Sequence, residues 1–541
     1  MKKLFLTGLF LIGLQALFAQ EKLIERKIHS QLKIPFTHFD YNAYEAQLAD
    51  TIHTALKPWH YFEINSQFIL DRYKSLLLPR KTWVGKKMFN EHLFPVLGPD
   101  YWLTIDPVID WELGRDLTEQ TLTYQNTRAI RVEGALGKQF SFSATIAENY
   151  ARLPNFLDRY AWRTHPPVVP GYGLNKSEDH LHVDYPYAAG YLAYKPSKFF
   201  FFEVGHGKHF IGEGYRSLFL SDNAPNYPYA KIEAQFWHVK FTTMWSAYQD
   251  LRDEYTLNGV YKKKFSAIHY ISWNATQKLN LGFFETVLWY NENRRGFDIN
   301  FLNPLIFFKT AEYEAGSDAS NTLLGLSACY KLPLKLSVYG QFILDEMVVS
   351  KFFTDSSYWT NKFGYQLGVK YHDAFNLPNL FIRLEYNQVR PYTYAHNTLV
   401  NYGHDYQALA HPWGANFKEI LFEMQYRYKR WYAHNILSVG EKGFDFPNNP
   451  VAYGGDIYRY IRPEDRGNNK YTLQGNRGKI VFNHFEGGYI LNPATNLKLF
   501  SGIIFRKTNI AEELSQVKNE TSTYIFFGIK THLWNDHFDV F

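Results

Sequence analysis

The chain has 541 residues, a formal net charge of +6, an aromatic content of 18% and a single cysteine. One cysteine excludes an intramolecular disulfide framework, and the lack of a lysine- or arginine-rich run argues against nucleic acid as a partner. Beyond the N-terminus, no apolar stretch reaches the roughly 18 residues that a membrane helix needs. The mature protein is therefore either soluble or crosses a membrane as strands, and the many aromatic residues favour strands.

Residues 1–19 have the layout of a secretory signal peptide. Lys2 and Lys3 form a positive start, residues 4–18 are mainly apolar, and Ala19 is a suitable last residue before cleavage. We therefore expect export from the cytoplasm and a mature chain that begins near residue 20.

Residues 20–100 are predicted to form short amphipathic helices ahead of the strands, at the periplasmic mouth of a barrel or inside its lumen. Two runs of apolar residues have the three- and four-residue spacing of a helix. Pro58 ends the first run and Pro79 the second, and Ser66 is a candidate N-cap of the second helix. The runs are Tyr44, Leu48, Ile52 and Ala55, followed by Ile69, Tyr73, Leu76 and Leu77.

From residue 101 to residue 541 the apolar residues alternate with polar ones, which is the pattern of a strand with one face in lipid. Ile382 and Leu384, for example, alternate with Arg383 and Glu385. A soluble β-sandwich would also alternate. Here, however, the apolar face is large and aromatic, the other face often carries charge, and the pattern recurs without a linker. It is also present in 140–146, 334–344, 363–371, 422–428 and 523–533.

The predicted fold class is therefore all-β. We expect a transmembrane antiparallel β-barrel of the bacterial outer membrane over residues 101–541, preceded by short N-terminal helices. At roughly 20 to 25 residues per strand with its connection, the region gives roughly 18 to 22 strands.

The segment from Gly205 to Tyr229 is rich in glycine and proline, which permit tight conformations and interrupt strand pairing. It is predicted to fold inward as a constriction, with Arg216, Asp222 and Asn223 facing the lumen. The alternative is a structural hairpin in which Arg216 and Asp222 pair with each other. A phosphate-binding loop is not expected, because no Lys-Ser/Thr follows at the required spacing.

Carboxylates and histidines on the strands do not predict an enzyme. Asp345 and Glu346 are adjacent and should point to opposite faces, and charges such as Arg383 and Glu385 commonly form ion pairs inside a barrel. His180 with His182, and His206 with His209, could each chelate a metal ion, but neither pair has an assignable third ligand. We therefore predict no catalytic residues, no metal site and no cofactor.

Aromatic and basic residues near the C-terminal third are candidates for glycan contact. Aromatic rings stack on sugar rings, while neighbouring amide, carboxylate and guanidinium groups bind hydroxyl or acidic groups. The polar segment from Asn448 to Asn476 is the best candidate for an extracellular loop on an anionic glycan. The alternative places the tyrosines in the interfacial belt and the arginines on lipopolysaccharide. The residues are Tyr392, Tyr394, Trp413, Tyr458, Arg459, Arg462 and Arg466, with Arg477 beyond the loop.

The segment from Gly205 to Tyr229 resembles the signature of the Wzi-like capsule-assembly barrels, and within them it is most similar to the gliding-motility RemB-like branch. Other segments fit the same family over nearly the whole mature chain. They are Ala55–Trp59, Phe89–Leu93, Phe301–Pro304, Leu344–Glu346, Arg390–His396 with Tyr402, and Leu409–Gly414.

The resemblance implies an outer-membrane barrel of about 18 strands with N-terminal helices on the periplasmic side. It implies binding, anchoring or organisation of capsular or exopolysaccharide, with a link to gliding motility. Outer-membrane lipid, lipopolysaccharide and motility or secretion machinery are the other expected partners. The alternatives are a pore or an accessory subunit of such a machine. The family-signature and lumenal polar residues are Arg216, Ser221, Asp222, Asn223, Asn303, Asp345, Glu346, Arg383 and Glu385.

Overall fold

The computed structural model describes residues 22–45, 53–290, 298–303, 320–346, 350, 354 and 357–541. The predicted signal peptide, residues 1–19, lies outside the described residues. Among the helices that the structure describes, none has the length and apolar character needed to cross a bilayer.

Eighteen antiparallel strands form a closed barrel, which confirms the predicted fold class. The last strand pairs with the first from Lys530–Asp110 to Tyr524–Asp116 and closes the wall. The strands are β1 Tyr101–Asp116, β2 Thr121–Leu136, β3 Phe140–Arg152, β4 Val183–Tyr194, β5 Phe200–Gly207, β6 Tyr227–Phe236, β7 Val239–Gln249, β8 Lys263–Asn274, β9 Leu279–Tyr290, β10 Ser320–Lys331, β11 Leu336–Glu346, β12 Lys362–His372, β13 Leu380–Val389, β14 Phe417–Tyr428, β15 Trp431–Phe444, β16 Asn476–Asn492, β17 Leu497–Ile510 and β18 Glu520–Thr531.

Shorter helices and strands precede the barrel strands or lie in the connections between them. The α-helices are His38–Glu45, Ser66–Leu76, Trp83–Phe89 and Asn155–Ala161, and residues 22–28 are also helical. The 3-10 turns are Tyr61–Glu63, Asp253–Tyr255, Ile299–Leu302, Ala374–Asn376 and Pro463–Asp465. Phe94–Leu97 pairs with β1. The two-residue strands are Leu56–Lys57 with Phe210–Ile211, Val168–Val169 with Gly173–Leu174, Thr256–Leu257 with Val260–Tyr261, and Gly403–His404 with Gln407–Ala408.

The alternating residues of the strands face lipid and lumen as predicted. On β13, the Leu384 residue is 53% exposed on the outer face, whereas Arg383 and Glu385 are each 1% exposed inside. Two predicted strand residues lie elsewhere. Leu334 lies in the turn before β11, where its backbone is left-handed with a φ of 62°, and Leu533 lies beyond the end of β18, where it is buried.

The connections at the two ends of the barrel differ in length. Even-numbered strands lead into tight turns such as 237–238 and 429–430, and we call this the turn end. Odd-numbered strands other than β1 lead into longer connections, which include 153–182, 390–416 and 445–475, at the loop end. In outer-membrane barrels, short turns face the periplasm and long loops face outward.

Four segments occupy the lumen and cover its turn end, and are called the plug: residues 22–93 (of which 46–52 lie outside the described residues), 208–226, 390–416 and 532–541. Leu56–Lys57 pairs with Phe210–Ile211, which joins the first segment to the second. The last segment leaves β18 at the turn end and rises through the lumen, since the Phe541 ring lies 5.1 Å from the ring of Trp413 near the loop end.

The N-terminal helices differ in detail from the prediction. The first spans His38–Glu45; Leu48 and Ile52 lie outside the described residues, and Ala55 precedes a short strand instead of ending a helix. The second begins at Ser66, and its N-cap is Asn65, whose side chain accepts a hydrogen bond from the Gln67 backbone N–H at 2.9 Å. Ser66 as N-cap is therefore wrong by one residue.

We expect the intact barrel to show no steady porin-like conductance in planar bilayers. Cavities along the boundary between plug and wall measure only about 70, 100 and 120 Å³. Replacing residues 390–416 with a short linker should open a conducting path and serves as the positive control. A steady open channel in the unmodified protein would contradict the filled lumen and favour the pore alternative.

Candidate functional site

A buried charge cluster fixes the plug to strands β13–β15. The Arg216 guanidinium lies 2.9 Å from a Glu419 oxygen and 2.6 Å from an Asp539 oxygen. Burial acts to lower the pKa of Arg216, but Asp539 and Glu419 raise it well above its ordinary value. The His411 Nε2 also lies 2.7 Å from Glu419, and burial lowers the pKa of that imidazole to about 4. Glu419 of the wall therefore contacts two plug segments directly, through Arg216 and His411, and a third through the Arg216–Asp539 pair.

The other lumenal signature residues take part in the same anchoring. Glu385 accepts hydrogen bonds from the backbone N–H groups of Tyr215 and Arg216 at 2.9 and 3.1 Å. Arg383 pairs with Glu423 at 2.9 Å and donates to Asn42 at 3.0 Å. The contacts of Glu385 with the 215–216 backbone and of Arg383 with Asn42 tie the plug to the wall through charge-assisted hydrogen bonds, which are stronger than neutral ones, whereas Arg383 and Glu423 pair within the wall.

The alternative in which Arg216 and Asp222 pair with each other is wrong. Asp222 accepts a hydrogen bond from the Asn535 side chain at 2.8 Å, whereas Arg216 pairs with Glu419 and Asp539. The sequence alone does not reveal this, because the true partners lie some 200 to 300 residues away. Ser221 and Asn223 are buried beside Asp222, and Asn223 donates to the Ala408 carbonyl at 2.6 Å.

The remaining signature residues lie apart from this cluster. Asp345 is buried and accepts a hydrogen bond from the Tyr394 backbone N–H at 2.7 Å, while Glu346 is exposed and pairs with Lys362. The two residues differ in exposure, but the strand register shifts between Leu344 and Glu346, so their placement on opposite faces stays a prediction. Asn303 is exposed at the end of the Ile299–Leu302 turn.

Tyr392 and Tyr394 are fully buried in the plug and offer no ring face to a ligand. The Tyr392 hydroxyl donates to the Ala452 carbonyl at 2.8 Å, and the Tyr394 hydroxyl donates to the Leu218 carbonyl at 2.8 Å. Both tyrosines therefore brace one loop against another, which differs from the expected contact with a glycan.

A cavity of about 320 Å³ opens at the loop end, where connections 153–182, 390–416 and 445–475 meet. Its size falls at the lower end of ligand pockets, which is suitable for a sugar residue. Trp413, Tyr458 and Arg459 from the predicted glycan set line it together. Other lining residues are Tyr160, Arg163, Tyr406, Asp445, Phe446, Asp456 and Gln516.

Aromatic rings form the floor and one wall of this loop-end pocket. The rings of Tyr406 and Tyr458 lie 5.5 Å apart, and the Tyr458 hydroxyl donates to the Gln407 carbonyl at 3.3 Å. Trp413 lies deeper, where its indole N–H donates to the Asp539 carbonyl at 3.1 Å. Of these rings, Tyr406 is the more exposed, so it is the one best placed to stack on a ligand.

Charged groups of both signs line the same pocket. Arg459 lies 3.4 Å from Asp445 and donates to the Asn449 carbonyl at 2.7 Å. Arg163 donates to the Tyr406 carbonyl at 3.1 Å, with its guanidinium over the Tyr160 ring. Burial, together with the nearby Asp456, raises the pKa of Asp445 to about 6. Such a mixture of donors and acceptors suits the hydroxyl groups of a carbohydrate.

The other predicted arginines lie outside the pocket. Arg462 pairs with Asp465 at 2.9 Å, Arg466 lies over the Trp359 ring, and Arg477 faces outward from β16, where it pairs with Glu441. The predicted set therefore does not form one site.

Sequence reasoning missed Tyr406, Arg163, Asp445 and Phe446. The first two lie on connections far from residues 448–476, and only the fold brings them together. Asp445 and Phe446 directly precede the predicted loop, so extending it to the end of β15 would have included them.

One cluster has the composition of a metal site. Ligand atoms of His60, Glu63 and Glu233 lie within 4.8 Å of one another. The Lys240 ammonium, however, already lies 2.7 Å from Glu63 and 2.9 Å from Glu233. An ammonium group thus satisfies both carboxylates, and the cluster is an ion-pair network between plug and wall.

A closed barrel with an apolar outer face, a polar lumen and long loops at one end defines an integral protein of the bacterial outer membrane. The profile of the family described as "Capsule assembly protein Wzi" matches residues 123–435, which is more than half of the chain. The chain belongs to the Wzi capsule-assembly family.

Several solved structures are similar to this chain. Wzi of Escherichia coli, described as an outer membrane protein involved in group 1 capsule assembly and as a carbohydrate-binding β-barrel, has a TM-score of 0.55 at 12% identity, covering 92% of this chain and 98% of that chain. OprD of Pseudomonas aeruginosa has a TM-score of 0.42 at 10% identity, covering 80% and 96%. OccAB2 of Acinetobacter baumannii has a TM-score of 0.41 at 11% identity, covering 79% and 97%. No curated protein matches this sequence.

Proposed function

We propose that this protein binds cell-surface polysaccharide at the loop end of the barrel and thereby retains it on the cell. The observation that carries the proposal is the loop-end pocket of about 320 Å³, which combines aromatic rings with charged donors and acceptors. Membership of the Wzi family supports it, as does the description of the E. coli barrel as carbohydrate-binding. Residues 1–19 serve as the export signal in this proposal, and residues 20–100 close the periplasmic mouth.

Retention of polysaccharide would also serve a gliding cell, which is the role that the RemB-like resemblance implies. In the proposed arrangement the outer wall contacts lipid and lipopolysaccharide, and motility or secretion machinery would meet the turn end. The filled lumen favours a binding protein over a diffusion channel.

The first test compares cell-bound with shed polysaccharide in a strain that lacks this chain and in its parent. We expect deletion to move polysaccharide into the medium by several-fold, and the wild-type chain to reverse the shift. A Tyr406→Ala/Phe446→Ala variant should reach the membrane and yet fail to restore retention. An unchanged ratio after deletion would overturn the proposal.

Binding of an uncharged polysaccharide should weaken as the medium is acidified. The ionised Asp445 carboxylate accepts hydrogen bonds from hydroxyl groups better than the neutral acid does. Because its pKa is about 6, we expect affinity to fall about threefold to tenfold between pH 7.5 and pH 5. Calorimetry at both pH values measures the change. Asp445→Asn should bind equally at both, and an equal pH dependence in that variant would contradict the assignment.

A further inference from the structure

Basic residues gather on the lipid-facing wall at the loop end, on three of the four adjacent strands β14–β17. Lys418 on β14, Arg477 and Lys479 on β16, and Lys507 on β17 all point outward, with Glu441 of β15 among them. Register places Lys418 opposite Glu441, and Glu441 opposite Lys479. Lys507 lies on the far side of β16, opposite Val481, so the group holds four cations and one carboxylate, and we call these five residues the basic patch.

The single carboxylate does not neutralise the basic patch. Glu441 pairs with Arg477 and, at 3.2 Å, with Lys479. In the described part of the chain, Lys418 and Lys507 have no carboxylate within ion-pair distance. The side chains of Arg477 and Lys479 remain 50% and 64% exposed, so their remaining donors are open to a further anion.

The basic patch lies at the edge of the apolar band. Toward the turn end, the next outward residues are Ile420, Val439 and Phe505, which are 52%, 42% and 38% exposed. A lysine or arginine is costly at the middle of a bilayer and costs little at its interface. Cations that directly border apolar residues at the end of the wall therefore sit at the depth of lipid headgroups.

We propose that the basic patch binds the phosphate groups of a phosphorylated glycolipid in the outer leaflet, with the acyl chains on the apolar residues below. Lysine and arginine form charge-assisted hydrogen bonds with phosphate, and a cluster of basic residues is attracted to anionic lipid headgroups. The inference rests on the lipopolysaccharide contact in the proposed function and gives it a site. It would place the polysaccharide pocket and a membrane glycolipid on one protein.

The test uses the full barrel in detergent, bisphosphorylated lipid A as the probe, and native mass spectrometry. Lys418→Gln/Lys479→Gln/Lys507→Gln should reduce binding at least tenfold. The matched control is Lys138→Gln/Lys278→Gln/Lys429→Gln, which removes the same charge from exposed turn-end lysines and should bind like the wild type.

Two further arms distinguish the source of the phosphate. Dephosphorylated lipid A with the same acyl chains should bind weakly to every variant, and millimolar inorganic phosphate should leave bisphosphorylated lipid A bound. Equal binding by the triple variant, equal binding of the dephosphorylated lipid, or displacement by inorganic phosphate would each overturn the inference. Polysaccharide binding by the triple variant is measured in parallel. The loop-end pocket lies elsewhere on the protein. A variant that loses only lipid A binding and a variant that loses only polysaccharide binding therefore distinguish the two proposals.

Discussion

Arg216→Ala should lower the free energy of unfolding by about 3 to 5 kcal/mol, which is the usual cost of removing one partner from a buried ion pair. The substitution leaves Glu419 and Asp539 facing each other without a cation, and both are nearly inaccessible to solvent. The loss is measured as the shift in the temperature at which the barrel changes its migration in a semi-native gel.

Arg477→Ala is the matched control, because Arg477 also pairs with a glutamate but is half-exposed on the outer wall. Its loss should cost no more than about 1 kcal/mol. Arg216→Ala/Asp539→Asn should recover part of the stability, since one of the two stranded charges is gone. If Arg216→Ala were as stable as Arg477→Ala, the central ion cluster would not be what holds the plug.

Tyr406→Ala/Phe446→Ala should weaken binding of the purified barrel to its polysaccharide by about 10- to 100-fold. Each ring lines the loop-end pocket and is only half-buried, so each offers a face on which a sugar can stack. A tenfold loss per ring corresponds to roughly 1.4 kcal/mol. Calorimetry or surface plasmon resonance with purified polysaccharide measures the change.

The control for this pair is Tyr471→Ala. It removes an aromatic ring from connection 445–475, which also carries Phe446, but at a position outside the pocket. Tyr471 is 59% exposed. Its loss should leave affinity and stability unchanged. If Tyr471→Ala weakened binding as strongly as the double variant, the glycan would lie on the outer surface of the loop, and the pocket would not be the site.

The barrel wall could be predicted because the residues of each strand show which of its two faces meets lipid. The alternation of Leu384 with Arg383 and Glu385 depends only on which face meets lipid, so a local pattern is enough. Local signals placed the second helix within one residue, and the error at its cap arose because Asn65 and Ser66 are both good capping residues.

The interior was not predictable in the same way. Tyr392 and Tyr394 have the composition of a sugar-binding surface, yet they are buried because a loop from elsewhere covers them. Arg216 meets Asp539 across more than 300 residues of chain, and no spacing rule connects them. In a filled barrel, a lumenal polar residue can face any of several segments, so only the fold decides its partner.

The path of residues 532–541 constrains the order in which the molecule is assembled. This segment leaves the final strand at the turn end and carries Trp534 and Phe541 up through the lumen, where the Trp534 indole donates to Tyr172 at 2.7 Å and Phe541 packs on Trp413. Bulky rings cannot be threaded through an interior that is already packed. We therefore expect the tail to enter the lumen before the loops from the outer side pack against it.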